Sequence, residues 1–97
     1  MAIHYRQRSA LVRMPKPREL THPVVRRLVC TCVMADEVLL WDWLVEHLDP
    51  QRFRVGATEL VRDGYSRRTE VVFTNELDAH RFARWAERRG FELEEAP

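Results

Sequence analysis

The sequence predicts an α+β domain with its elements in the order β-α-β-β-α-β. Three observations carry this. Two segments, 52–61 and 65–74, alternate apolar and polar residues on either side of an Arg62-Asp63-Gly64 turn, as a hairpin does. Two other segments repeat apolar residues at helical spacing, each opened by an Asp or Asn and closed by a Pro or Gly. Strand-like runs flank both helices, so each helix is a crossover between strands.

The first strand spans 24–34 (VVRRLVCTCVM), where β-branched and apolar residues dominate. Its even positions, Leu28, Cys30, Cys32 and Met34, form one face, and Val29, Thr31 and Val33 form the other. Asp36 then stands where an N-cap stands, before an apolar helix that runs to about Leu48 and stops at Asp49-Pro50. Val38, Trp41, Leu44, Val45 and Leu48 share one side of that helix and are expected to cover the sheet.

A three-residue loop with Gly64 left-handed puts Val61 opposite Tyr65, Glu59 opposite Arg67, Ala57 opposite Thr69, Val55 opposite Val71 and Phe53 opposite Phe73. The second helix spans 76–89. Asn75 caps it, Asp78 stands where a reciprocal capping side chain stands, and Gly90 ends it. Phe91-Glu92-Leu93-Glu94 alternates as a short last strand. With right-handed crossovers, this order closes as a four-stranded antiparallel sheet with two helices on one face, the ferredoxin-like arrangement.

A chain of 97 residues has room for one such domain. Residues 1–23 hold five basic residues, Arg6, Arg8, Arg13, Lys16 and Arg18, against Glu19 alone, and three prolines. They are expected to form a basic arm outside a ferredoxin-like domain at 24–97. That domain holds eleven basic and fourteen acidic residues, so charge does not mark the whole protein as a polyanion binder.

Two surfaces stand out as candidate sites for a protein partner or a homodimer. The first is Leu39 with Trp43, four apart and expected on the outward side of the first helix. Either the arm folds back over them or they anchor a partner, tryptophan being enriched at binding hot spots. The second is the uncovered sheet face, expected to carry Val29, Thr31, Val33, Val72, Thr74 and Leu60, with Arg54, Arg68 and Glu70 beside them. An apolar strip there invites a second layer, most simply another copy packed back to back.

The alternative partner is nucleic acid. Arg6, Arg8, Arg13, Lys16 and Arg18 of the arm and Arg81, Arg84 and Arg88 of the second helix would supply the phosphate contacts. RNA-recognition modules share this strand order, but they place aromatic rings on the open central strands, and 24–34 has none.

Catalytic constellations are missing. Gly56, Gly64 and Gly90 are too far apart for a phosphate loop, and His4, His22, His47 and His80 show no ligand spacing. Cys30 and Cys32 fit neither a redox turn nor a disulfide framework and read as small buried hydrophobes. Asp36 alone could seed a metal-dependent hydrolase, a weaker alternative. The expectation is a non-enzymatic binding module without cofactor or metal. With no leader-like or membrane-spanning segment in the sequence, a cytoplasmic location is expected.

Overall fold

A computed structural model describes residues 20–96. The basic arm residues Arg6, Arg8, Arg13, Lys16 and Arg18 lie outside the described residues. The elements are β1 (Arg26–Val33), a 3-10 turn (Met34–Asp36), α1 (Glu37–His47), β2 (Phe53–Leu60), β3 (Ser66–Phe73), α2 (Glu76–Arg88) and β4 (Glu92–Glu95). Strands β2, β3, β1 and β4 lie side by side in that order, all antiparallel. This is the expected ferredoxin-like arrangement.

The core sits between the sheet and the helices. Leu28 and Cys30 from β1, Phe53 from β2, and Val71 and Phe73 from β3 meet Leu40 and Leu44 of α1, Leu48 just beyond it, and Ala79, Phe82 and Ala86 of α2. The even positions of β1 therefore face the helices, as the alternation predicts.

Phe53 pairs with Phe73 and Val55 with Val71, as expected. Beyond Val55 the pairing shifts by one residue, and Thr58 rather than Ala57 lies opposite Thr69. A bulge at Gly56-Ala57 produces the shift. An added Cβ at Gly56 would come within 2.6 Å of Glu70 Oε1, so the missing side chain makes room for Glu70 there. The shift lengthens the loop to four residues, 62–65, closed by the Val61 N–H donating to Ser66 O at 2.8 Å. Gly64 is left-handed as predicted, at φ +84°. Asp63 fixes the loop: Oδ2 accepts from the Ser66 hydroxyl (2.6 Å), and Oδ1 accepts from the N–H groups of Tyr65 (2.9 Å) and Ser66 (2.8 Å). The Ser66 hydroxyl first, and then the Tyr65 N–H, hold the Asp63 carboxyl below its ordinary pKa.

The capping expectations divide. Asn75 Oδ1 accepts from the Asp78 N–H at 3.1 Å, and Gly90 closes α2 at φ +82°. Asp36 occupies the N-cap position of α1, but its side chain makes no capping hydrogen bond. Asp78 is not a reciprocal cap. It is 1% exposed and turns to Arg52, whose Nη2 donates to Oδ1 at 3.3 Å and whose Nε lies 3.2 Å from Oδ2.

Candidate interaction surfaces

The structure relocates Trp43. It is half-buried and stacks on Trp85 of α2, with centroids 5.4 Å apart and planes 20° apart. His47 also stacks on Trp43, at 4.7 Å and 16°, and Phe82 lies 5.9 Å away. The expected outward position is thus corrected: Trp43 closes the seam between the helices. The buried line of α1 runs through Leu40, Leu44 and Leu48, rotated from the side the sequence favoured, and this turns Trp43 toward α2. Because α1 is apolar nearly all round, its periodicity did not fix which side faces inward. Leu39 is half-buried. Two stacked indoles couple excitonically, so the far-ultraviolet circular dichroism should show paired bands of opposite sign. Both Trp43→Phe and Trp85→Phe should abolish them; persistence in either variant would contradict the stack.

The open sheet face is also different from the expected apolar strip. Arg68 bridges Glu59 on β2 and Glu94 on β4, and Arg27 lies 3.9 Å from Glu70. Val29 lies between Glu70 and Glu94, and Thr31 between Arg68 and Glu92; both are half-buried. Val72 has no exposed surface at all, so it cannot anchor a partner as expected. Its cross-strand neighbours are Arg27 and Arg54, whose aliphatic stems are long enough to lie over it. A copy packed back to back would have to desolvate this ionic lattice, which opposes the dimer drawn from an apolar strip.

The bulge has a further effect. It reverses the facing of β2 beyond Val55, so Leu60 shares a row with Arg67 and Cys32 on the helix side of the sheet, not on the open face where alternation placed it. The helices do not cover it there, and it is 58% exposed. Around the same end of the sheet stand Val33 (38% exposed), Met34 (40%) and Tyr65 (60%). The Met34 N–H donates to Tyr65 O at 2.8 Å, which ties the end of β1 to the hairpin loop. Of the residues expected on the partner-binding sheet face, Val33 and Leu60 belong to this group, Leu60 from the opposite side of the sheet. Tyr65 and Met34 were missed because both were read as strand residues, whereas one lies in the loop and the other in the 3-10 turn.

Arg81, Arg84 and Arg88 share the exposed side of α2, as expected. None of them makes an ion pair among the described residues, whereas Arg26, Arg27, Arg52, Arg67 and Arg68 of the sheet region all do. Arg89 lies 5.9 Å from the centroid of the Trp85 ring.

Asp36 stands in the 3-10 turn, and no three His, Cys, Asp or Glu side chains converge into a metal-binding group among the described residues. None of the described helices is long and apolar enough to cross a membrane. No protein family, curated protein or solved structure matches the chain.

Proposed function

We propose that this protein is a non-catalytic binding module that docks a protein partner on the hairpin end of its sheet. One observation supports the reading above the others. Four of the seven large apolar side chains that stand exposed among the described residues, Val33, Met34, Leu60 and Tyr65, gather around that one end. Exposed apolar side chains cost nothing singly, but a group of them beside an aromatic ring is the composition of an interface core. The Asp63 hydrogen bonds and the left-handed Gly64 hold the loop in one shape, so little ordering cost falls on binding.

The test uses a photo-crosslinking amino acid placed at Tyr65 and, as control, at His80 on the exposed side of α2. In host cells, position 65 should yield a discrete cross-linked species that position 80 does not, and Leu60→Ser should remove it. Equal labelling from both positions, or none from either, would count against the reading. The mass of the species separates a second copy of the chain from a different protein.

A second reading rests on the arginines of α2 that make no ion pair among the described residues. Arg81, Arg84 and Arg88 would then contact a nucleic-acid backbone together with the arm. Affinity for a labelled oligonucleotide should fall steeply with salt and drop in the triple variant Arg81→Gln, Arg84→Gln, Arg88→Gln. Salt-insensitive binding would remove this reading.

A further inference from the structure

We propose that residues 11–14 of the basic arm add to the free edge of β2 as a fifth, antiparallel strand. Among the described residues β2 pairs with β3 alone, so its other edge offers unpaired backbone groups. Val61, the residue after β2, donates its N–H to Ser66 O across the hairpin. Backbone groups point to alternate sides along an antiparallel strand, so the N–H and C=O of Leu60 and Thr58 point away from β3. Ala57, Thr58, Glu59 and Leu60 are all exposed, and Glu59 carries the one charge among them. The opposite edge of the sheet is guarded differently, because β4 is four residues long and three of them are glutamates.

The arm joins the described chain beside the start of this edge. Thr21 Oγ1 donates to Gln51 O at 3.4 Å, two residues before β2 begins, and Leu20 is half-buried. An arm laid along the edge from there runs antiparallel to β2. Seven positions separate Met14 from Thr21, as seven separate Thr58 from Gln51, so Met14 comes level with the exposed half of β2. Pro15 and Pro17 keep Met14 and Lys16 in extended backbone, and an outermost strand tolerates proline.

Polarity selects the register. With Val12 and Met14 on the helix side beside Leu60 and Thr58, Arg13 falls on the open side beside Glu59. Glu59 is 67% exposed and shares Arg68 with Glu94, so it has room for a second cation. Overall charge agrees: residues 1–23 hold five basic residues against Glu19, whereas 24–97 hold fourteen acidic against eleven basic. A second copy that paired Thr58 with Leu60 through the same backbone groups would set Glu59 directly opposite its own copy, like charge against like charge. The inference does not depend on the partner docking proposed above.

Amide hydrogen exchange of the full chain, followed by NMR, tests the strand with no partner present. The Thr58 and Leu60 N–H groups should exchange at least about 10-fold more slowly than in Val12→Pro, which removes the N–H that pairs with Leu60 O. Arg13→Glu, which sets like charge beside Glu59, should lose most of that protection. The β1 and β3 amides should keep their rates in both variants, which shows the domain intact. Thr58 and Leu60 amides that exchange in the native chain as freely as in an unpaired strand would overturn the proposal. So would protection that survives Val12→Pro, or that rises with protein concentration, the mark of a second copy on the edge.

Discussion

Phe82→Ala is expected to bring the protein close to unfolding. Phe82 is fully buried and joins Phe73 of the sheet to the stacked Trp43 and Trp85. It lies 5.5 Å from Phe73 on the sheet, 5.9 Å from Trp43 on α1 and 6.0 Å from Trp85 on its own helix. Truncation removes apolar contact with sheet and neighbouring helix together and leaves a cavity whose walls belong to three different elements. Phe→Ala changes in such sites cost about 3–5 kcal/mol. Domains of this size have about 5–15 kcal/mol in all, so the loss consumes much of the margin. Urea unfolding followed by circular dichroism measures it. Phe82→Leu, which keeps most of the volume, should retain most of the stability. A loss in Phe82→Ala below about 1 kcal/mol would mean that the helices close over the gap, and that packing around Phe82 is not what holds them.

Arg52→Ala should produce the second large effect. The carboxylate of Asp78 is 1% exposed, in the first turn of α2, and Arg52 is its ion-pair partner. Removing the guanidinium leaves a buried charge without its counter-charge, which costs about 3–5 kcal/mol where both partners are buried. The Arg52 side chain is 43% exposed, so water replaces part of its contribution, and about 1–3 kcal/mol is expected. The double variant Arg52→Ala, Asp78→Ala should be less destabilised than the sum of the single ones, because neither then strands the other. Strict additivity would show that the pair is not coupled. Asn75→Ala serves as a reference, since it removes only the cap bond to the Asp78 N–H and should cost about 1 kcal/mol.

The contrast between these residues shows where the sequence was legible. Ala79, Phe82 and Ala86 are legible in the sequence as the inward side of α2, because their spacing stands against charged residues on the other side and leaves one orientation. No such contrast exists in α1. Its residues Val38 to Val45 are apolar but for Asp42, and several orientations bury comparable area. Trp43 was therefore misplaced, and with it the anchor at Leu39 and Trp43. Likewise, alternation read β3 correctly along its whole length and read β2 correctly as far as Val55. A bulge adds one residue to one strand; Gly56 is its one local mark, and alternation by itself does not count the extra residue. That extra residue moved Leu60 to the other side of the sheet and moved Glu59 opposite Arg68, where an ionic lattice replaces the expected apolar strip.

The candidate binding end was visible in the sequence only as an excess of apolar residues without an address. Tyr65, Leu60, Met34 and Val33 come from three segments, and no spacing rule links them.

Short-range patterns of polarity, capping and turn residues, acting within a few positions along the chain, were sufficient to determine the order of elements and the way the sheet closes. Which flank of α1 meets α2, where β2 gains a residue, and which apolar groups stay uncovered were decided only by packing between distant segments. Those choices minimise voids and unpaired charges across the whole molecule, and no local stretch of chain contains the terms being compared.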